Sequence, residues 1–154
     1  MKRAGVVLIM ALAFFGLSDS AYIAQSEVSN TPLICDVTNL TGCNIVAASP
    51  YAYLFGIPLA EYGVAFYSFI FILAALELVL FNRLVRRILQ GVSFIGVIAS
   101  LYFTFLEIFV INALCIYCLV SAFITILVLI AASFIEPLRP AGGWSVSGGK
   151  KSLV

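Results

Sequence analysis

Residues 113–135, ALCIYCLVSAFITILVLIAASFI, decide the fold of this chain. They include no charged residue, and their length matches the roughly 20 apolar residues that a helix needs to cross a bilayer. Cys115 and Cys118 lie near the start of this stretch with the spacing C-x-x-C. The stretch therefore predicts a membrane-spanning helix that carries two thiols at one of its ends.

Three other segments have a similar composition, and they cover residues 5–24, 60–81 and 88–111. Backbone polar groups in lipid must form hydrogen bonds within their own segment, and a barrel strand needs only about 10 residues. We therefore predict four helices and the fold class of an all-α membrane protein, a four-transmembrane-helix bundle.

The predicted membrane domain covers residues 1–136. Its largest loop, at about residues 25–59, connects the first two helices and is predicted to contain a short helix near residues 44–52. Residues 137–154 are rich in Gly, Ser and Pro, which is a composition typical of flexible chain. They are predicted to form a flexible cytoplasmic tail.

The basic residues predict the orientation of the bundle. None of them lies in the large loop, and all eight lie near the termini or between the second and third predicted helices: Lys2, Arg3, Arg83, Arg86, Arg87, Arg139, Lys150 and Lys151. Because short cytoplasmic segments carry the excess of Lys and Arg, both termini are predicted to be cytoplasmic and the large loop to face outward. A cleaved signal peptide remains an alternative for the first segment, and it leaves the loop on the same side.

Composition excludes several classes of protein. The chain has 154 residues, of which 64% are hydrophobic and 10% are charged, and it contains no histidine. Soluble domains have about 25% charged residues, so a soluble enzyme and a disordered chain are both excluded. The same composition excludes a basic nucleic-acid binder, while the formal net charge of +1 indicates nothing about partners. Without histidine, the chain cannot form a Ser-His-Asp triad or a histidine-ligated zinc site.

All four cysteines are predicted to lie at the outer end of the bundle. Cys35 and Cys43 belong to the large loop, and Cys115 and Cys118 begin the fourth helix. The spacing of the loop pair does not fit the paired C-x₂₋₄-C ligands of structural zinc sites. Two structural disulfides remain an alternative, because the outer face is an oxidising compartment.

The C-x-x-C pair is placed for redox chemistry. Asn112 is a plausible N-cap of the fourth helix, which predicts that Cys115 lies in the first turn. There the helix dipole and the free N–H groups stabilise a thiolate, which is the attacking species in disulfide exchange. The loop cysteines can meet a soluble partner, and the C-x-x-C cysteines lie at a helix end. Together the two pairs predict an electron relay. Its acceptor is predicted to be a lipid-soluble quinone.

Five motifs occur in a fixed order along the chain: Cys35-Asp36, Gly42-Cys43, Ser49, Leu54-Phe55-Gly56-Ile57-Pro58 and Cys115-Ile116-Tyr117-Cys118. With these motifs the sequence resembles the vitamin K epoxide reductase family in its prokaryotic branch. Bacterial DsbB-type disulfide oxidases have similar parts in another order, with the C-x-x-C in the first outer loop. Here the C-x-x-C comes last, which favours the first family.

The resemblance implies a role for each cysteine. Cys35 is expected to exchange with a separate thioredoxin-like carrier, since the chain has no fused carrier domain, and Cys43 to pass electrons to Cys115. Cys118 is expected to face the quinone. The implied function is a quinone-dependent thiol oxidoreductase of the prokaryotic cell membrane that generates disulfides for its carrier on the extracytoplasmic face. Two alternatives remain, a vitamin K epoxide or quinone reductase using the same relay and a non-enzymatic protein with structural disulfides.

The resemblance also implies a quinone site. Ser49 is expected near the quinone head group or as a residue that holds the loop, and Phe55 and Phe103 as aromatic walls. Animal members of the family have polar contacts to vitamin K at the positions of Ala52 and Ala122. The two alanines therefore favour a respiratory quinone over vitamin K epoxide as the substrate, with Ala122 at the site.

Asp19, Glu77 and Glu107 are acidic residues inside or at the ends of predicted helices, and acids within a membrane are functional candidates by default. Asp19 and Glu107 are predicted near the outer ends of their helices, at about the depth of the cysteines. We predict them as a proton relay to the quinone. Glu77 is predicted nearer the cytoplasmic side, and for all three a helix–helix hydrogen bond is the alternative.

Overall fold

A computed structural model describes residues 2–35, 42–80 and 83–135 of the chain. Its long helices are α1 (Lys2–Ser29), α3 (Leu59–Leu80), α4 (Arg83–Leu106) and α5 (Ile116–Ile135). A short α2 (Cys43–Ala47) lies between α1 and α3, and a π-helix (Glu107–Ile111) extends α4. Four helices in the described part of the chain are long and apolar enough to cross a membrane. The predicted four-helix fold of an integral, multi-pass membrane protein is confirmed.

The first helix is longer than predicted, because it ends at a specific capping motif. Asn30 adopts the left-handed conformation with φ 50°. The Asn30 N–H donates to the Glu27 carbonyl at 3.3 Å and the Thr31 N–H donates to the Ser26 carbonyl at 3.1 Å. This pair of bonds is a Schellman motif, in which Asn is tolerated at the left-handed position and Pro commonly follows. Pro32 then prevents the helix from continuing.

The loop between α1 and α3 contains more structure than the sequence predicted. The predicted short helix is present in two pieces, α2 and a 3₁₀-helix (Pro50–Ala52). It is followed by a two-stranded antiparallel hairpin, β1 (Tyr53–Leu54) and β2 (Ile57–Pro58). Phe55 and Gly56 at its tip both have positive φ, as the favoured two-residue hairpin turns require. Strands of two residues are too short to produce an alternating pattern that sequence could reveal.

The bundle has two distinct ends. At one end, which we call the terminal end, a Cβ added to Gly5 would lie 2.9 Å from the Ile135 side chain. The described beginning and end of the chain therefore meet there. Glu77 is buried at this end and pairs with Arg86 across the α3–α4 connection. The opposite end, which carries α2 and the hairpin, is called the loop end.

The buried core lies between the long helices. α1 packs against α3 and α5, and α4 packs mainly against α5. The core side chains nearest complete burial include Ile9, Ile70 and Val128. The predicted tail, residues 137–154, lies outside the described residues.

The prediction that Asn112 caps the fourth helix is wrong. Asn112 instead ends the π-helix, with φ 54°, and residues 112–115 are not helical. The Leu119 N–H donates to the Cys115 carbonyl at 3.1 Å, so Cys115 itself occupies the N-cap position and Cys118 lies in the first turn. The widened π turn before it accounts for the difference, because sequence periodicity gives no sign of one extra residue in a turn.

Candidate functional site: four cysteines around a membrane cavity

The two loop cysteines form a disulfide. Cys35 and Cys43 are bonded with their Cα atoms 6.3 Å apart, and both are buried. Cys35 ends the extended segment after α1, and Cys43 is the first residue of α2. The disulfide therefore fixes the start of α2 to the segment that leaves α1.

The C-x-x-C cysteines are free thiols next to this disulfide. Cys115 is buried in one apolar cluster with Leu33, Cys35 and Cys43, and Cys118 packs against the same cluster. Residues more than 70 positions apart in the sequence thus meet at the loop end of the bundle. The structure brings together all four cysteines that the sequence singled out.

Gly42 allows this close approach. A Cβ at position 42 would lie 2.7 Å from the carbonyl oxygen of Leu114 and 2.8 Å from its nitrogen. Both atoms belong to backbone, which cannot rotate away as a side chain can. The absence of a side chain at Gly42 therefore lets the start of α2 lie directly on the segment that carries Cys115.

Side chains hold the backbone that leads to Cys35. The Ile34 N–H donates to the Tyr22 hydroxyl at 3.4 Å, and the Tyr117 hydroxyl donates to the Ile34 carbonyl at 2.8 Å. One residue earlier, the Asn44 side chain accepts from the Leu33 N–H at 2.8 Å and donates to its carbonyl at 3.3 Å. Because Tyr117 stands between the two C-x-x-C cysteines, the loop disulfide is tied to the C-x-x-C segment itself.

The start of α5 stabilises a thiolate on Cys115. The pKa of Cys115 is lowered by hydrogen bonds from the Cys118 thiol and from the backbone N–H groups of Cys118 and Tyr117. Burial and the Glu107 charge act in the opposite direction but do not outweigh these bonds. The Cys115 N–H donates to Glu107 Oε2 at 3.2 Å, which fixes the residue at the helix N-terminus. A thiolate at this position is the reactive species in disulfide exchange.

The pKa of Cys115 gives a testable prediction. Cys118→Ala removes the thiol donor, so the pH midpoint of Cys115 ionisation is expected to rise. Cys118→Ser keeps a donor and is expected to leave the midpoint low. Since Cys35 and Cys43 remain bonded, Cys115 is the one free thiol in both variants, and its thiolate absorbance near 240 nm reports the midpoint. Equal midpoints in the two variants would show that Cys118 does not stabilise the thiolate.

A cavity of about 440 Å³ opens beside the cysteines. Its volume falls within the 300–1,000 Å³ of small-molecule sites, which are mostly apolar with a few polar groups. Cys43, Cys115 and Cys118 all contribute to its wall. All four long helices also contribute, through residues such as Ile23, Phe66, Phe103 and Thr125. The cavity is therefore a mostly apolar space within the bundle, with residues of both cysteine pairs in its wall.

The structure places the other predicted site residues in two groups. Ser49, Phe103, Asp19 and Glu107 lie in the cavity wall, and the Ser49 hydroxyl also donates to the Val46 carbonyl at 2.7 Å, which holds the end of α2. The wall does not include Phe55, which is 92% exposed at the hairpin tip. It also does not include Ala122. The quinone contacts proposed for these residues stay predictions.

Sequence reasoning missed three wall residues that form one hydrogen-bonded cluster. The Tyr67 hydroxyl lies 2.7 Å from Ser121 Oγ and 3.0 Å from Thr125 Oγ1. Ser121 and Thr125 follow Cys118 at spacings of three and seven, which place them on one helix face. That spacing was a usable signal, whereas nothing in the sequence pairs Tyr67 of α3 with α5.

The fold and the site together define a class, a membrane-spanning protein with a disulfide and a dithiol at one cavity. The model of the vitamin K epoxide reductase family matches residues 7–133, nearly the whole chain. The chain therefore belongs to the vitamin K epoxide reductase family, and the resemblance seen in the sequence is confirmed. No curated protein matches the chain. Membership of the family implies a quinone-linked thiol oxidoreductase.

Proposed function

We propose that the protein oxidises the thiols of a separate thioredoxin-like carrier and passes the electrons to a membrane quinone. The observation that carries this proposal is the wall of the cavity, where Cys43 of the loop disulfide meets both thiols of the C-x-x-C pair. The cavity volume of about 440 Å³ accommodates a quinone head group. Its largely apolar wall suits the flat ring of a lipid-soluble acceptor.

The proposed reaction balances in three exchanges. A carrier thiolate attacks Cys35, which forms a mixed disulfide and releases Cys43; the second carrier thiol then frees Cys35 and leaves as the carrier disulfide. Cys43 attacks the oxidised C-x-x-C pair at Cys115, which forms a Cys43–Cys115 mixed disulfide and releases Cys118. Cys35 then attacks the Cys43 sulfur, which re-forms the loop disulfide and releases Cys115, so that Cys115 and Cys118 are both thiols. These two thiols become a disulfide again as they deliver two electrons and two protons to the quinone. The structure, with the loop pair bonded and the inner pair reduced, corresponds to the state before that last exchange.

The carrier is proposed to reach Cys35 from the side of Ile34. The Ile34 side chain is 75% exposed, while Cys35 itself is buried. The hydrogen bonds of Tyr22 and Tyr117 to the Ile34 backbone therefore have to open before a protein thiolate can contact the Cys35 sulfur. Each neutral hydrogen bond contributes about 1 kcal/mol, so this opening is a modest cost.

Asp19 and Glu107 are proposed to move protons between the thiols and the quinone. Both line the cavity, and Asp19 Oδ2 is buried without a hydrogen-bond partner among the described residues. A carboxyl group in that state is free to exchange a proton with a ligand. In the dithiol-driven assay below, Asp19→Asn is expected to slow turnover, and an unchanged rate would remove Asp19 from the path.

The proposed orientation puts the loop end on the extracytoplasmic side of a prokaryotic cell membrane. The terminal end carries Arg83, Arg86 and Arg87 at the start of α4, and the loop end carries none of the basic residues of the described chain. By the positive-inside rule the terminal end is then cytoplasmic. This places the four cysteines in the oxidising compartment where disulfides persist.

The experiment that tests this function is quinone reduction by the purified protein with a small dithiol as donor. We expect wild-type protein to reduce a ubiquinone or menaquinone analogue over many turnovers, followed by the loss of quinone absorbance. Cys115→Ala is the matched control and is expected to be inactive. If wild-type protein reduces neither type of quinone, the disulfide is structural and the proposed function is wrong.

A further inference from the structure

We propose that the Ser121 hydroxyl donates the hydrogen bond that holds one carbonyl oxygen of the quinone head group beside Cys118. This inference rests on the proposed function, because it assigns a donor within the same cavity. Ser121 lies in the cavity wall together with Cys118. A spacing of three residues puts both side chains on one face of α5, about 4.5 Å apart along the helix axis.

Three hydroxyl groups meet at this part of the wall. The Tyr67 hydroxyl donates to the Ser121 carbonyl at 2.9 Å, and the Thr125 hydroxyl donates to the same carbonyl at 2.8 Å. That carbonyl lies within α5, where it also accepts the backbone N–H of the residue four positions later, so the two hydroxyl groups give it additional bonds. The Ser121 hydroxyl, at 2.7 Å from the Tyr67 oxygen, is the third member of the cluster.

Within this cluster, Ser121 has the hydroxyl that is not bonded to backbone. The Tyr67 and Thr125 hydroxyls each donate to the Ser121 carbonyl, and turning either one toward a ligand breaks that bond. The Ser121 hydroxyl contacts the Tyr67 oxygen at 2.7 Å, and either oxygen can be the donor of that bond. It can turn to a ligand in the cavity without leaving any backbone group unpaired.

Three other hydroxyl groups of the wall are engaged with backbone. Ser49, Tyr62 and Tyr117 each donate to a carbonyl of the loop, at 2.7, 3.2 and 2.8 Å. Their protons hold the loop in place over the cavity. By contrast, the Ser121 hydroxyl is held by another side chain, and that side chain is rigid.

Packing fixes Tyr67 and therefore the Ser121 hydroxyl. Tyr67 is 1% exposed, and a Cβ at Gly16 would lie 2.4 Å from its ring. The ring thus lies directly on the backbone of α1 and cannot shift toward it. A donor held in this way costs little reorganisation when charge develops on a carbonyl oxygen, which is what reduction of a quinone produces.

The test compares variants that differ only in the hydroxyl. Ser121→Thr keeps the donor, and Ser121→Val removes it with nearly the same shape. Ser121→Ala removes it without added bulk, and all three keep the backbone carbonyl that Tyr67 and Thr125 use. Ser133→Ala is the matched control, because Ser133 is also on α5 and bonds the Leu129 carbonyl at 2.8 Å but lies outside the wall.

Two readouts are needed, the infrared C=O stretch of bound ¹³C-labelled ubiquinone analogue and its KM in the dithiol assay. We expect a carbonyl band shifted to lower frequency in wild type, Ser121→Thr and Ser133→Ala. Ser121→Val and Ser121→Ala are expected to lose that shift and to raise KM about tenfold, equivalent to about 1.4 kcal/mol.

The outcomes separate this inference from the proposed function. If wild-type protein turns over quinone while Ser121→Ala and Ser121→Val keep the shifted band and the wild-type KM, Ser121 is not the donor and the proposed function stands. If wild-type protein neither binds nor reduces the quinone, both the function and the assignment of Ser121 are wrong.

Discussion

Cys118→Ala is expected to abolish quinone reduction with every electron donor, whereas Cys35→Ala is expected to abolish it only with the protein carrier. Cys118 lines the cavity, and in the proposed relay the electron pair passes to the quinone only as Cys118 forms a disulfide with Cys115. Cys35 lies at the opposite end of the relay, beside the exposed Ile34 side chain. A small dithiol that enters the cavity bypasses it and reduces the Cys115–Cys118 pair directly.

The expected losses are large, because removing a nucleophile in covalent catalysis costs factors of about 10³ or more. The measurement is the initial rate of quinone reduction for wild type, Cys118→Ala and Cys35→Ala, each with a reduced thioredoxin-like protein and with dithiothreitol. Cys35→Ala leaves a lone thiol at Cys43 that can trap Cys115 in a mixed disulfide. The double variant Cys35→Ala/Cys43→Ala cannot form this mixed disulfide, so its rates report the loss of the loop pair without that complication.

Two results would contradict the relay. If Cys118→Ala retains turnover with dithiothreitol, another group delivers electrons to the quinone. If the double loop variant oxidises the carrier as fast as wild type, the carrier reaches the C-x-x-C pair directly, and the loop disulfide is structural.

The membrane fold was predictable because it depends on composition, which is local. Four apolar stretches and the distribution of Lys and Arg define the helices within a few residues. The exceptions follow from specific backbone events, such as the left-handed Asn30 that ends α1 five residues later than predicted. The π-helix that begins at Glu107 likewise moves the start of the fourth helix past Asn112.

The candidate site was predictable only where a motif carries it. The C-x-x-C spacing and the loop cysteines identified the four cysteines that meet at the loop end, and Asp19, Glu107, Ser49 and Phe103 do lie in the cavity wall. Tyr67 was missed because its partner Ser121 is 54 residues away. Contacts between distant helices depend on how the bundle packs, and no local pattern in the sequence indicates which helices meet.

Gly42 is also important because of packing, since its lack of a side chain lets α2 lie close to the segment that carries Cys115. Gly42→Ala is expected to slow carrier-driven quinone reduction by about 10²-fold while leaving the dithiothreitol-driven rate near that of wild type. The added Cβ would lie 2.7 Å from the Leu114 carbonyl oxygen, so the start of α2 has to move away from the segment that carries Cys115. A misplacement of about 1 Å between reacting groups can cost about 10²-fold in rate.

Gly42→Ala tests only the distance between the start of α2 and the segment that carries Cys115, because alanine can adopt the backbone conformation of residue 42. Its φ of −77° and ψ of −9° are accessible to alanine, so the substitution adds no conformational strain. Gly91→Ala is the matched control, since a Cβ there meets no atom within 4 Å. The rates with both donors are compared for the two variants and wild type.

If Gly42→Ala transfers electrons from the carrier at the wild-type rate, contact between Cys43 and Cys115 does not depend on this packing. If it loses the dithiothreitol-driven rate as well, the substitution has damaged the cavity rather than the step between the two cysteine pairs.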